Sequence, residues 1–395
     1  MKKIVGPQIG GYEKVDVRKK YDLSDKVEFC RECVVPNQRP RIIFDEEGVC
    51  NACNYWKRKE SGIDWVDREK QLQDVCDQYR RNDGRHDVVV PSSGGKDSSF
   101  VVHQLKHKYG MHPLTTTWAP NIYTEIGWEN FQALIHSGFD NVLGTPNGLV
   151  HRNFTRVCTI EMGEPFQPFI YGQTWFPVQV AVGYDIPFIM GGENGEVEYG
   201  GDAGSEDKIG FEGEDANRYW FSGRPVEYWM DYGFDKQDLS YYLPPSQERI
   251  LEAKIEYHFF GHYKNWQPQK NYYYAAENVG FKSNPEGRSE GTYSKYASLD
   301  DKIDPFHFYF MLLKFGFARA TSDAAHEVRE GLIAREEAVK LVNRYDTEFP
   351  VRNFQTFLDY CQFTEEEFWS VCERWRNLDL WEKDGGEWVL KCQVS

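Results

Sequence analysis

Between residues 86 and 191 the chain alternates short β-branched or apolar runs with stretches whose apolar positions recur at helical spacing. His86-Asp87-Val88-Val89-Val90-Pro91 reads as a strand meeting a Ser-Gly turn, and a helix is predicted from Ser98 to about Tyr109. The pattern then repeats. A strand over His112–Trp118 precedes a helix over Glu125–Ser137, and Asp140–Gly144 forms another strand. Helices over Leu149–Met162 and Phe166–Tyr184 lead to the apolar run Ile186–Met190, which ends in Gly191-Gly192. Strands alternating with helices specify an α/β fold with a parallel sheet and crossover connections. Ligands in such sheets bind beyond the carboxyl ends of the strands, so the loops after Val90, Trp118 and Met190 are the places to look for chemistry.

The flanks have a different texture. Residues 1–28 are mixed and polar and read as an arm. Residues 56–86 are highly charged, with Ile63, Val66, Leu72, Val75 and Tyr79 spaced for one amphipathic helix. Residues 191–215 hold eight glycines, nine acids and the single lysine Lys208, which reads as a mobile acidic loop, either a solvated linker or a lid. Residues 218–296 are dense in Tyr, Trp and Phe and read as partly helical. From Pro305 onward the pattern is helical, and Thr364-Glu365-Glu366-Glu367 has capping-box spacing before Phe368.

Length and charge narrow the function classes. A chain of 395 residues suggests two or three domains. Its 46 Lys and Arg against 62 Asp and Glu leave a net charge of −16, the wrong sign for a general nucleic-acid binder. Met1–Pro7 lacks the apolar core of a secretory signal. The greasiest stretch, Phe306–Phe317, is broken by His307 and Lys314 and is too short to cross a bilayer. A soluble, cytoplasmic protein is expected, with neither nucleic acid nor membrane as a partner, and the sequence is compatible with an oligomer. Of nine cysteines, Cys30, Cys33, Cys50 and Cys53 form two C-x-x-C pairs separated by sixteen residues, the spacing of a four-cysteine zinc site. Four protein ligands leave no open position, so the metal would be structural; redox cysteines and an iron–sulfur cluster are the alternatives.

The strongest chemical signal is Ser93-Gly94-Gly95-Lys96-Asp97-Ser98 between the first strand and its helix. Two glycines let backbone N–H groups turn toward an anion, and the following helix adds unpaired N–H groups and the positive end of its dipole. Lys96 adds a full charge, Ser92, Ser93 and Ser98 add hydroxyls, and Asp97 either holds Mg²⁺ or caps the helix. The Walker A spacing is absent.

This hexapeptide resembles the pyrophosphate loop of the ATP pyrophosphatases, relatives of asparagine, GMP and NAD synthetases and of tRNA lysidine and thiolation enzymes. Taken with Cys30–Cys53, Gly192-Glu193-Asn194 and Lys314-Phe315-Gly316-Phe317-Ala318-Arg319-Ala320-Thr321, it is similar to the bacterial N-acetyl sugar amidotransferases over about residues 28–345. The resemblance implies a Rossmann-like sheet of the ATP pyrophosphatase type, with a zinc module at 29–55, a helical linker at 56–86 and the ATP domain at 87–200. An acidic loop and substrate insert would follow at 201–296 and a helical region at 297–395. It implies that ATP adenylates the acetamido oxygen of an activated sugar and that ammonia then displaces AMP to give an acetamidino sugar for a surface glycan. ATP contacts would come from Ser92, Ser93, Gly94, Gly95, Lys96, Asp97, Ser98, Thr117, Trp118 and Gly192. Catalytic roles would fall to Lys96, Asp97, Glu193, Asn194 and Arg319, with Mg²⁺ on the phosphates. In the family, ammonia comes from a separate glutaminase with a cyclase-like subunit. Thiolation enzymes can pair C-x-x-C modules with the same loop, so a tRNA-modifying enzyme is the alternative.

Weaker candidates complete the reading. Glu193 and Asn194 also fit a turn and helix cap. Lys314 and Arg319 could hold phosphate or a sugar carboxylate, or could lie on a solvated helix face. Asp300, Asp301 and Asp304 also fit an acidic helix start. His103 with His107, and His258 with His262, have i, i+4 spacing but no third ligand marked by sequence. Cys158 lacks the Gly-rich surroundings of a glutaminase nucleophile.

Overall fold

The computed structural model describes residues 13–395; the Met1–Pro7 stretch considered above lies outside the described residues. Five parallel strands form one sheet: β1 Val88–Pro91, β2 Pro113–Trp118, β3 Asp140–Gly144, β4 Phe188–Gly191 and β5 Glu256–Phe259, in the order β3-β2-β1-β4-β5. The α/β class expected from the sequence is the one observed. β1 is central and buried on both faces, which is why it reads as an unbroken valine run. Val88 and Val90 pack with Phe188 and Met190 of β4 against the helices Trp65–Tyr79 and Lys96–His107. Val89 and Ile189 point to the other face, against Gly148–Met162 and Gln167–Gly183.

Strand order places the site. From β1 the chain winds outward through β2 to β3, then crosses back to lay β4 on the other side of β1. The crevice between the loops after β1 and β4 is therefore the switch point at which open α/β sheets bind ligands.

Several elements differ from the sequence reading. β5 lies in the aromatic segment read as helical, a four-residue edge strand too short to show a period. The charged stretch 56–86 is not one helix: Asn51–Ser61 and Trp65–Tyr79 are separate, the second capped by Asp64 accepting from Val66 N and Asp67 N, and Val66 is 82% exposed. The arm carries a short helix, Val17–Tyr21, whose Val17 is buried with Leu23 against Phe306, Phe310 and Trp375. The C-terminal region is helical to Trp375, with the expected capping box at Thr364 and Glu367, but closes with a hairpin of Trp381–Asp384 and Glu387–Leu390. Among the described residues no helix is long and apolar enough to cross a membrane.

The largest departure is the acidic stretch 191–215, which is anchored to the cysteine module. Glu196 accepts a two-point contact from Arg41 at 3.0 and 2.7 Å, Asn51 donates to Gly201 O at 2.8 Å, and Arg58 pairs with Glu206 at 2.9 Å. Deepest is Lys59 Nζ on Glu198 Oε1 at 2.8 Å, with side chains 0% and 4% exposed; the same ammonium donates to Trp266 O at 3.0 Å. Removing one partner of a buried pair leaves the other charge without compensation. Glu198→Gln is expected to lower the unfolding free energy in a denaturant titration by about 3–5 kcal/mol. Glu28→Gln, at the exposed pair with Lys26, is expected to leave the midpoint in place.

Candidate functional site

A cavity of about 1030 Å³ opens at the switch point. One wall is the loop after β1. Gly95 caps the helix Lys96–His107 with no side-chain hydrogen bond, so no capping side chain competes for the first-turn N–H groups, the arrangement that favours an anion. Gly94 has φ +84°, and a Cβ there would lie 2.6 Å from Phe131 Cα, so only glycine lets the loop pass under the helix Glu125–His136. Ser92 Oγ bridges the turn, donating to Ser98 Oγ at 2.8 Å and accepting from Gly94 N at 3.4 Å.

Lys96 is buried, contacts the neighbouring carboxylate of Asp97 and lies 5.0 Å from the centre of the Tyr296 ring. Asp97 is aimed from its other side by Asn271, whose Nδ2 donates to Oδ1 at 2.9 Å from the helix Pro268–Asn278. Glu193 enters from the loop after β4, and burial together with the Asp97 charge raises its carboxyl to about 7. Asp300 accepts from the Ser93 hydroxyl; burial and the Asp304 charge push its carboxyl up. Arg319 pairs with Asp323 at 3.0 Å, which more than offsets burial and keeps the guanidinium charged.

Ser92, Ser93, Gly95, Lys96, Asp97, Ser98, Trp118, Gly192, Glu193 and Arg319 thus line one cavity, as do Lys314, Asp300 and Asp304. Three expected contacts do not line it. Gly94 is packed instead against the backbone of Asn130 and Phe131. Asn194 caps the helix Gly195–Tyr199, accepting from Glu196 N at 3.1 Å and donating to Ser205 O at 3.1 Å. Thr117 is turned to the other face of β2, where its hydroxyl donates to Ser92 O; strand alternation gives the cavity Thr116 instead. Thr116 and Trp118 line the cavity; Thr116 Oγ1 and Trp118 Nε1 are themselves buried without hydrogen-bond partners among the described residues, the indole nitrogen lying against Gly172. Asp301 is structural, accepting from Ile303 N at 2.8 Å.

Residues 290–394 match the protein family described as LPS biosynthesis protein WbpG-like, C-terminal domain. No curated protein matches the chain in sequence. Among solved structures it is similar to NMN synthetase from Francisella tularensis, at 10% identity and a TM-score of 0.28, over 56% of this chain and 99% of that one. It is also similar to the U34-tRNA thiolase NcsA from Methanococcus maripaludis, described with its 4Fe–4S cluster, at 12% identity and a TM-score of 0.29 over 80% and 88% of the two chains.

The four cysteines are buried together, outside the cavity lining. Cys30 Sγ and Cys53 Sγ are 3.8 Å apart, and Cys33 Sγ and Cys50 Sγ 3.7 Å. A single tetrahedral ion with metal–sulfur bonds of about 2.3 Å needs sulfurs about 3.8 Å apart, so the donor set fits one ion. Cys33 N and Cys50 N donate to Cys30 Sγ, and Arg329 reaches Cys33 Sγ, contacts that stabilise thiolates. The histidine pairs have other partners: His103 bonds Tyr274 and His258 bonds Tyr263. Burial pushes the Cys158 thiol well up, which makes it unreactive.

Sequence reasoning missed Asn271, Tyr296, Glu164, His307, Lys20 and Arg224. Of these only His307 carried a signal: with Asp304, Met311 and Lys314 it falls in the pattern i, i+3, i+7 and i+10 on one face of the helix Asp304–Phe315. Gly94→Ala is expected to weaken ATP binding at least about tenfold by calorimetry, with the metal content of the cysteine site unchanged.

Proposed function

We propose that this chain is an ATP-dependent amidotransferase acting on an activated N-acetyl sugar in surface-glycan synthesis. The observation that carries the reading is the single cavity in which the glycine loop, Lys96, Asp97 and Glu193 meet a second lobe. At about 1030 Å³ it reaches the top of the range for one small ligand, about 300–1,000 Å³, and has room for a nucleotide and an acceptor together. The match of residues 290–394 to an LPS biosynthesis family supports the glycan assignment.

In this reading the loop N–H groups, Lys96 and the helix dipole hold the β and γ phosphates and take up the charge of the departing pyrophosphate. Mg²⁺ would take oxygen ligands from Asp97 and the phosphates and supply further charge neutralisation. The acetamido oxygen bonds to the α phosphorus as the bond to pyrophosphate breaks. Ammonia, supplied by a separate glutaminase, adds to the activated carbon. The carbon–oxygen bond then breaks, and AMP leaves with the former acetamido oxygen. Glu193, poised near neutrality, accepts the proton that the attacking ammonia sheds. The cysteine module would hold zinc in a closed, structural site.

Purified protein given ATP, ammonium and a panel of nucleotide-linked N-acetyl sugars is expected to release AMP and pyrophosphate only with the right sugar, with oxygen replaced by NH in the product by mass spectrometry. AMP released on adding tRNA instead would turn the assignment to tRNA modification. Glu193→Gln should lower kcat about 10²-fold or more. At constant free ammonia the native rate should rise with pH through about 7, as the carboxylate form fills, and the variant should lack that limb. Metal analysis should find one zinc per chain, lost in Cys50→Ser; iron with sulfide would overturn the zinc assignment.

A further inference from the structure

At the lobe away from the glycine loop the charge of the cavity changes sign. Lys314, on the helix Asp304–Phe315, lines the cavity at only 4% exposure, and its ammonium has one acceptor among the described residues, Met162 O at 3.4 Å. An ammonium carries three donors, so this buried side chain is under-satisfied. Burial brings it down to about 8, against the pull of Glu164 and with Lys20 adding to the fall. Arg224 lines the same lobe, half-buried, donating to Glu161 O at 2.9 Å. Lys20, from the arm helix Val17–Tyr21, stands at the exposed rim. Both ammonium groups lie over the Trp375 ring, 5.6 Å and 5.9 Å from its centre.

Carbonyls Glu161 O and Met162 O end the helix Gly148–Met162, and cations at a helix C-terminus are favoured by its dipole. That accounts for one bond each from Arg224 and Lys314. It leaves Lys20 and the remaining Lys314 donors without a hydrogen-bond acceptor among the described residues, their other contacts being aromatic faces. The carboxylates at hand are engaged elsewhere: Glu164 accepts from His307 at 2.6 Å, and Glu161 pairs with Arg374 at 3.6 Å. Excess positive charge inside a chain of net charge −16 is a built feature.

We propose that Lys314, Arg224 and Lys20 form an anion seat that takes the phosphate of a phosphate-linked carrier on the acceptor sugar. Three cations suit a diphosphate linkage, with one charge on each phosphate, better than a single carboxylate. The distance is also apt. Asp304 belongs to the glycine-loop end through Asp300 and Ser93, and Lys314 lies ten residues along the same helix, a rise of about 15 Å. A sugar can lie between, with its acetamido group at the loop and its phosphate on the seat. The identity of the acceptor rests on the amidotransferase reading; the seat itself does not.

Calorimetry on the full chain, with the loop filled by a nonhydrolysable ATP analogue, tests the seat. The probes are UDP-N-acetylglucosamine, free N-acetylglucosamine, and N-acetylneuraminic acid, whose charge is a carboxylate. The UDP sugar should bind at least about tenfold tighter than either other probe. Lys314→Met should cost about tenfold to a hundredfold in its affinity, with binding of the ATP analogue alone unchanged. Lys20→Gln, exposed at the rim and harmless to folding, should cost less, and the loss should fade at high salt. Equal binding of the free sugar, carboxylate binding as tight as phosphate, or unchanged affinity in both variants would overturn the seat. Loss of the seat leaves sugar-dependent AMP release possible, whereas failure of the amidotransferase reading leaves phosphate-selective binding without AMP.

Discussion

Lys59 and Glu198 are shut away from water together, and neither charge could remain there alone. Lys59 sits on the helix that begins in the second cysteine pair, and Glu198 on the short helix that begins just past Glu193. Arg329, from the helix Arg319–Arg329, donates to Glu198 O at 2.8 Å and reaches Cys33 Sγ. One knot of charge therefore joins the cysteine module, the turn after β4 and the helix that starts at Arg319. The module is thereby also a wall of the cavity: its Arg39 and Arg41 line it with Lys96 and Glu193.

Within the cavity, sign varies with position. Near the glycine loop Asp97, Glu193, Asp300 and Asp304 gather around Lys96 and Arg319. Burial, with the Asp97 charge beside it, brings the Glu193 carboxyl up to about 7. At the far lobe the balance is cationic. Such an arrangement orients an elongated ligand as well as holding it.

The sheet was legible because its signals are local. Val88–Val90 is apolar on both faces, Gly94 and Gly95 follow at once, and the strand–loop–helix order puts Lys96 at a strand end whatever the rest of the chain does. The switch point also followed, bringing the loops after β1 and β4 together. What stayed hidden depends on contacts far apart in sequence. Asn271 reaches Asp97 across 174 positions, and an asparagine in a tyrosine-rich helix announces nothing. That Thr116 and not Thr117 lines the cavity is a matter of strand parity, which a buried threonine run does not reveal. The acidic stretch 191–215 misled because composition counts charges and not partners; Arg41, Arg58 and Lys59 lie some 140 to 155 positions upstream.

The helix Asp304–Phe315 is a rigid ruler with Asp304, His307, Met311 and Lys314 as its marks. A single residue inserted between the end marks would swing Lys314 by about 100° off the cavity face, while a whole turn would restore the face and lengthen the reach by about 5.4 Å. The spacing between Asp304 and Lys314 on the cavity face can therefore change only in whole turns.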